Sequence, residues 1–205
     1  IRSTILCVVE LFTSEGCSSC PPADQLLSEL TNLAEAQSKP IFTLGFHVDY
    51  WNQLGWIDRF SDHRFTQRQR QYAKIQRATS VYTPQMIVNG NDGFGGYRSD
   101  LARSAIQKAL SQTPPVNLKL TVSHEPKKII VLYQLDKKQP NMQLNIALVE
   151  RHLTSNVSRG ENAGRTLVHA NVVQTFHSQP LALSHAGQVV LAIDKNIAPK
   201  NSSVI

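Results

Sequence analysis

The chain has 205 residues, of which 41% are hydrophobic and 18% charged, and its formal net charge is +6. This balance is typical of a globular protein rather than a disordered one, and no apolar run is long enough to predict an integral membrane segment. Basic residues are scattered apart from one run over residues 64–77, and no nucleic-acid-binding signature is present, so nucleic acid is not expected as a partner.

Strand and helix patterns alternate in the first half of the chain. An apolar, β-rich run over residues 5–12 predicts a strand buried on both faces, and the segment TSEGCSSCPP at residues 13–22 follows it directly. Leucines at helical spacing then predict a helix that ends at Lys39-Pro40. Next come a strand over 41–48, an aromatic loop over 49–56 and a polar helix over 58–77. A strand opened by Thr83-Pro84, a glycine-rich edge strand over 93–97 and a helix from Ser99 complete the order βαβαββα.

The chain changes character at Thr113-Pro114-Pro115, where the helical period disappears. Beyond this point apolar and polar residues alternate, which predicts an antiparallel sheet or a small sandwich. Strands are expected over residues 116–122, 128–135, 142–150, 166–176 and 188–193. The prediction is therefore an α/β domain over residues 1–113 followed by an all-β domain over residues 114–205.

Three cysteines are present, and only one pair of them can form a disulfide within the chain. Cys17 and Cys20 form the natural pair, whereas Cys7 in the apolar run is expected to be a small buried hydrophobe. Three roles are open for this pair: thiol–disulfide exchange, two of the ligands of a metal site, or a structural disulfide that stabilises the loop. A purely structural disulfide is not expected, because closing so short a loop removes little unfolded-chain entropy. A metal site needs further ligands, for which the candidates are His47, His63, His169 and His177.

A CxxC between a strand and a helix, followed by a strand that Thr83-Pro84 opens, resembles the thioredoxin-like proteins. More closely, residues 9–24, 47–56 and 159–165 together with His169 resemble an uncharacterised family of exported bacterial thioredoxin-like proteins, domain of unknown function family 1223. The resemblance covers nearly the whole chain. It implies a periplasmic or secreted protein, and a start at Ile1 without methionine agrees with the removal of a leader peptide or of a tag.

The resemblance also implies roles for individual residues. Pro84 is expected to be cis and to lie with Thr83 against the cysteine pair, and Cys17 is expected to attack while Cys20 resolves the mixed disulfide. A helix N-terminus would stabilise the Cys17 thiolate, although the two prolines after Cys20 require a helix that is kinked or begins near Cys20. Glu10 is either a general base beneath Cys20 or an edge-strand glutamate that reaches solvent.

The remaining candidates surround the cysteine pair. Ser18 and Ser19 are candidate hydrogen-bond donors to the sulfur, and His47 ends the strand beside the expected site. Trp51 belongs to an aromatic group that either forms an apolar ledge for a partner or closes the core. Glu15 and the basic face of the helix over residues 58–77 are expected to be solvated. The loop over residues 159–165 either returns to the thiols or lies on the surface.

Two classes of function fit these residues. The first is a thiol–disulfide oxidoreductase that acts on a protein or a small thiol and needs no further cofactor. The alternative is a non-catalytic binding or assembly module on the same scaffold, in which Cys17 and Cys20 hold copper(I) or zinc. The fold alone does not separate these two classes.

Overall fold

The structure, a computed structural model, describes residues 5–91, 93–137, 140–181, 185–193, 197 and 199–205. Its helices are α1 (Pro21–Ala36), α2 (His63–Ile75) and α3 (Ser99–Leu110), with short 3-10 helices at Asn52–Leu54 and Pro199–Asn201. The strands are β1 (Cys7–Thr13), β2 (Ile41–His47), β3 (Gln85–Val88), β4 (Phe94–Gly95), β5 (Leu118–Glu125), β6 (Lys128–Leu135), β7 (Gln143–Glu150), β8 (Leu153–Asn156), β9 (Thr166–His169), β10 (Val172–Pro180), β11 (Ala186–Ala192) and β12 (Ser202–Val204). None of the described helices is long and apolar enough to cross a membrane.

The elements from β1 to α3 follow the order that the sequence predicts. β1 and β2 are parallel and α1 connects them, while β3 is antiparallel to β1 and β4 is antiparallel to β3. α1 forms because its leucines recur at helical spacing, and the side chains of Leu26, Leu27 and Leu30 are buried against the sheet. This half of the chain therefore places the cysteine segment where a central strand ends and a helix begins.

The main sheet continues past the predicted domain boundary. Its order is β12-β7-β10-β2-β1-β3-β4, so three strands from beyond residue 114 extend the sheet of the first half. β10 joins β2 where Val172 lies opposite Gly45. A Cβ at Gly45 would lie 3.3 Å from the carbonyl oxygen of Ala170, a tight contact that requires the neighbouring backbone to move slightly. The α/β class is confirmed, and the boundary at residues 113–114 stays a prediction.

The other C-terminal strands form two small antiparallel sheets, one of order β11-β6-β5 and one that pairs β8 with β9. The strand predicted over residues 166–176 is divided into β9 and β10. Asn171 has a φ of 46°, in the left-handed region, and this turn of the backbone interrupts the strand. The alternating pattern identified β5, β6, β7 and β11 correctly, and the expectation of a further strand over residues 202–205 is confirmed by β12. The short strand β8 carries too little pattern to be predicted.

The two faces of β1 pack against different helices. Val9 and Leu11 lie in a core with α1 and α3, whereas Phe12 lies on the other face in a core with Phe46 and with Phe65 of α2. This division follows from the alternation of side chains along a strand. A third core lies between the three-stranded sheet and β7. The face on which a β1 residue lies thus decides whether it can approach α1 and the cysteines.

Candidate functional site

The candidate site is centred on a disulfide between Cys17 and Cys20, in the loop that joins β1 to α1. The Cα atoms of the two residues lie 5.4 Å apart. Both cysteine side chains are fully buried, whereas Ser18 and Ser19 between them are exposed. Ser19 Oγ lies 3.4 Å from Cys17 Sγ, a distance at which the hydroxyl can hydrogen-bond to the sulfur. A partner that exchanges disulfides with this pair must therefore displace part of the structure that covers it.

The start of α1 differs from the expectation for a thiolate-stabilising helix. The helix begins at Pro21 with Cys20 as its N-cap, so the alternative of a start near Cys20 is confirmed. Pro21 and Pro22 have no backbone N–H, and the N–H groups of Ala23 and Asp24 both donate to the carbonyl oxygen of Cys20. The helix dipole remains, but this first turn offers no free N–H to a sulfur. Ser19 is the polar side chain that the structure places at Cys17 Sγ.

A loop from the second half of the chain covers the cysteine segment. This covering loop, residues 157–165, joins β8 to β9. The fully buried amide of Asn162 donates from Nδ2 to the carbonyl oxygens of Glu15 and Cys17, each at 2.9 Å. The backbone N–H of Ser18 donates to Glu161 Oε2 at 3.0 Å. The hypothesis that residues 159–165 return to the cysteines is therefore confirmed, and Asn162 fixes the carbonyl of one of them.

Replacing Asn162 with Ala is expected to expose the disulfide. The change leaves the buried carbonyl of Glu15 without a donor, which costs roughly 1–3 kcal/mol. The carbonyl of Cys17 loses one of its two donors and keeps the backbone N–H of Cys20. Local opening becomes easier, so reduction by dithiothreitol should be about tenfold faster or more. The measurement is the rate of thiol release at fixed pH, followed by mass. Glu161→Ala is the matched control, because it removes only the contact of an exposed carboxylate. Equal rates in wild type and Asn162→Ala would show that the covering loop does not limit access.

Five ionisable side chains form a buried charged cluster beside the cysteine loop. At most 6% of each residue is exposed, and its members are Glu15, Asp24, His47, Asp58 and His169. The backbone N–H of Glu15 donates to Asp58 Oδ2 at 2.9 Å, and this bond ties the cluster to the cysteine loop. Buried charges are costly unless they are paired, so these positions depend on one another.

One part of the cluster is a histidine–aspartate pair at the end of β2. His47 Nδ1 lies 2.7 Å from Asp58 Oδ2. Burial opposes the ionisation of Asp58, but His47 and backbone N–H donors outweigh it and hold the pKa of this carboxyl below its ordinary value. His47 was predicted as a binding residue. The structure places it in the interior, at the side of the site, with 1% of its surface exposed.

The other part of the cluster places His169 between two carboxylates. Its Nε2 lies 3.4 Å from Glu15 Oε1 and its Nδ1 lies 3.9 Å from Asp24 Oδ1. Burial opposes a charge on the ring, but Asp24 and Glu15 outweigh it and raise the pKa of His169 to about 9. Burial also opposes the ionisation of Glu15, yet contacts with His169, Ser155 and Trp56 hold its pKa below the ordinary value. The raised pKa favours a protonated His169 at neutral pH. Charge attraction to the two carboxyl groups holds it, since neither ring nitrogen forms a hydrogen bond of ordinary geometry with a residue that the structure describes.

The stability of the protein is expected to fall between about pH 6.5 and 9. The pKa of His169 is higher in the folded protein than its ordinary value of 6.5, so its stabilising charge is fully present below pH 6.5 and is lost as the pH rises through about 9. The change is on the order of 3 kcal/mol at most. Urea unfolding across this range measures it. His63→Gln, at an exposed histidine, should retain the fall, whereas His169→Gln should remove it. A fall of equal size in His169→Gln would contradict the assignment.

Thr83, Pro84 and Trp51 lie together next to the cysteine loop. The Thr83–Pro84 peptide bond is cis, as the resemblance implies. Trp51 Nε1 donates to Thr83 Oγ1 at 2.7 Å. Trp51 also packs against Gly16, where an added Cβ atom would lie 3.2 Å from the Cβ of Trp51. The indole of Trp51 is thus engaged with the site and is only partly buried. The roles predicted for these residues in binding a partner stay predictions.

Glu10 does not lie beneath the cysteines. Its side chain shares a face of β1 with Phe12, towards α2, where Arg68 Nε donates to Glu10 Oε2 at 2.6 Å and Tyr72 Oη donates to Oε1 at 2.6 Å. The face towards α1 carries Thr13, which donates to Asp24. This alternation corrects the expectation that Glu10 is a general base for Cys20. It also corrects the expectation of a fully solvated basic face on α2, because the side chain of Arg68 is only 13% exposed.

The histidines considered as metal ligands have other contacts. His47, His63 and His169 face carboxylates, and His177 Nε2 lies 3.1 Å from Gln179 Oε1. Among the residues that the structure describes, no group of three or more His, Cys, Asp or Glu side chains is arranged to hold a metal ion.

Sequence reasoning missed most of the buried charged cluster. Glu15 was expected to be solvated and is fully buried, with Trp56 Nε1 donating to its Oε2 at 2.7 Å. Asp24 and Asp58 carried no signal, because no spacing in the sequence connects them with the cysteines. The available hint was His169, a histidine in an alternating strand whose partners the sequence does not identify.

Comparisons with known proteins cover the whole of this site. A crystal structure of a protein from Agrobacterium tumefaciens is similar to the chain, with a TM-score of 0.68 and 26% sequence identity over 94% of this chain and 80% of that one. No curated protein matches the chain. Residues 8–205 match the family described as protein of unknown function, DUF1223. This match includes the disulfide, the covering loop and the buried charged cluster, and the chain belongs to the DUF1223 family.

Proposed function

We propose that this protein is a thiol–disulfide oxidoreductase that uses Cys17 and Cys20 on a thioredoxin-like scaffold. The observation that carries the proposal is the disulfide at the junction of β1 and α1. Cysteines at this kind of junction are well placed for exchange, because the helix dipole favours a thiolate there. The strand order β2-β1-β3-β4, with α1 connecting the two parallel strands, supports the thioredoxin-like scaffold.

The exchange moves two electrons between this pair and a partner. In the reduced protein the Cys17 thiolate attacks a partner disulfide, forms a mixed disulfide and releases one partner thiolate, which takes up a proton. The Cys20 thiol then loses its proton, and its thiolate attacks Cys17 Sγ. This step closes the internal disulfide and releases the second partner thiolate. The protein is oxidised and the partner is reduced, and the same steps in reverse oxidise a partner dithiol.

Access to the sulfurs is the main structural requirement of this scheme. Cys17 and Cys20 are fully buried, so an attacking thiolate needs the Ser18–Ser19 segment or the covering loop to move. The bond from Ser18 to the exposed Glu161 is the contact at the rim that opens most readily. The substrate is therefore a protein or small thiol that reaches a sheltered disulfide after local opening.

The compartment follows from the same proposal. Disulfides persist in an oxidising environment such as the periplasm or the cell exterior, whereas most disulfides are reduced in the cytosol. The family resemblance implies export as well. We therefore place the oxidoreductase in the periplasm or among secreted proteins, with thiol-bearing proteins or small thiols as its partners.

The test is a redox titration of the protein in glutathione buffers, with free thiols counted by mass at each potential. A reversible two-electron transition between about −120 and −270 mV supports the proposal. Cys7→Ala is the control: burial raises the pKa of the Cys7 thiol to about 11, so removing it should leave the transition unchanged. Cys17→Ser and Cys20→Ser should each abolish it.

A pair that resists reduction below about −300 mV would overturn the proposal and indicate a structural disulfide. Thiols that react only after removal of a bound copper(I) or zinc ion would also overturn it, in favour of the binding or assembly module. Mass spectrometry under native conditions separates these two results, because it detects a bound metal directly.

A further inference from the structure

β5 carries a row of apolar side chains that the rest of the protein leaves uncovered. Leu118, Leu120 and Val122 lie directly opposite three buried residues of β6: Leu135, Tyr133 and Val131. Residues opposite each other point to the same face, so the row is directed towards the protein interior. The three side chains of β5 are nevertheless 37% to 47% exposed.

The reason for this exposure is the position of β5 in the fold. β5 is an outer strand of the sheet β11-β6-β5, and the main sheet ends nearby at β12. A cavity of about 310 Å³ lies between the two sheet edges, lined by Val122, His124, Ile129, Leu148 and residues 202–204. The apolar row of β5 thus extends beyond the part of the core that the main sheet covers.

The backbone of β5 is also available at its outer edge. On an edge strand every second residue turns its N–H and C=O groups away from the sheet. Edge strands are usually protected by a bulge, a proline or several charges. β5 pairs with β6 over all eight residues without a register shift, and it carries one lysine, Lys119. Among the described residues no strand pairs with its outer side.

We propose that β5 pairs antiparallel with β5 of a second copy of this chain across a two-fold axis at Val122. Val122 of one copy then faces Val122 of the other, and the two small sheets become one continuous sheet. The same register places Thr121 opposite Ser123 and Lys119 opposite Glu125. The apolar rows of both copies lie on one face, above the two cavities.

The charges of β5 favour a second copy over an unrelated strand. Lys119 and Glu125 stand at equal distances on either side of Val122. Glu125 already lies 3.0 Å from Lys128 of its own copy, and the carboxylate is exposed enough to accept a second cation. The two-fold axis therefore adds Lys119 of the other copy to each Glu125, and opposite charges facing each other stabilise a strand pair. Within one copy the two residues are about 20 Å apart along the strand and cannot meet. One strand pair buries less than the roughly 1,200 Å² of a standard interface, so the dimer is weak and reversible.

Charge reversal tests the register by analytical ultracentrifugation of the full chain from low micromolar to millimolar concentration. Lys119→Glu puts Glu opposite Glu125, and Glu125→Lys puts Lys opposite Lys119. Each single variant is expected to weaken dimerisation by about tenfold. The charge-reversal variants are made in a Lys128→Gln background, because Lys128 pairs with Glu125 within each copy. In that background the double variant, Lys119→Glu with Glu125→Lys, exchanges the charges and should restore the dissociation constant of the Lys128→Gln parent. The restoration is diagnostic, because these two residues interact only between copies.

Val122→Lys, at the centre of the interface, should leave the protein monomeric. Val190→Lys is the matched control, since Val190 is 50% exposed on β11, at the opposite edge of the same sheet. A circular dichroism spectrum and an unfolding midpoint for each variant exclude misfolding. A wild type that stays monomeric at millimolar concentration overturns the proposal. A dimer that persists in Val122→Lys, or one that the charge reversals leave unchanged, overturns it as well.

Discussion

Replacing Cys20 with Ser is expected to stop turnover of disulfide exchange and to leave the partner attached to Cys17. In the proposed reaction the Cys17 thiolate can still attack a disulfide such as oxidised glutathione, but the resolving thiol that would release the product is missing. Turnover should fall by roughly a thousandfold or more, because the remaining steps depend on external thiols. A glutathione adduct on Cys17, identified by intact mass and peptide mapping, is the expected signature.

Cys17→Ser provides the comparison for this result. It should lose turnover to the same extent without accumulating an adduct, whereas Cys7→Ala should keep full turnover because Cys7 is a buried thiol away from the disulfide. An adduct that forms in Cys17→Ser and not in Cys20→Ser would contradict the assignment. It would show that Cys20, the N-cap of α1, is the attacking residue.

Replacing Arg68 with Ala is expected to destabilise the fold by about 3–5 kcal/mol, because the change leaves the Glu10 carboxylate buried without its cation. Arg68 donates to both carboxylate oxygens, at 2.6 and 2.8 Å, and the Glu10 side chain is only 5% exposed. Arg68 also lies over the ring of Phe176, 4.5 Å from its centroid, so it joins α2 to β10. Urea unfolding monitored by tryptophan fluorescence measures the loss.

The exposed pair of Arg64 and Asp62 is the control for this effect. Both residues lie at the start of α2, and the Arg64 side chain is 58% exposed, so Arg64→Ala should cost less than about 1 kcal/mol. Replacing Glu10 and Arg68 together with Leu should cost less than Arg68→Ala, since no buried charge remains unpaired. Similar losses in Arg64→Ala and Arg68→Ala would show that the ion pair of Glu10 is not buried in solution.

The cysteine segment and the elements around it were predictable because their signals are local. An apolar run, a leucine repeat at helical spacing and a CxxC between them indicate β1, α1 and the disulfide without knowledge of the rest of the chain. The face of β1 on which the Glu10 side chain lies has no such local signal and could not be predicted in this way. A shift of one residue exchanges the two faces, and the deciding contact, with Arg68, comes from a helix 58 residues away.

The cover of the site was harder to predict for the same reason. Asn162 reaches the cysteine loop from 145 residues away. His169, at the end of β9 in the two-stranded sheet, contacts Glu15 in the loop that follows β1. The sequence shows that these side chains are polar and that they stand near predicted strands. The pairing of β10 with β2 and the hydrogen bonds between Asn171 and β2 bring that half of the chain to the site.

Because a chain is synthesised from its N-terminus, β2 exists long before β10, the strand that pairs with it. β2 is complete at residue 47, but the strand beside it begins at Val172, so this edge stays open until most of the protein has been synthesised. The covering loop also arrives late, with Asn162. Until this edge closes, Cys17 and Cys20 are therefore accessible to other thiols and, in an oxidising compartment, to oxidants. They become sheltered only in the last stage of folding, which is when a wrongly formed disulfide would become difficult to correct.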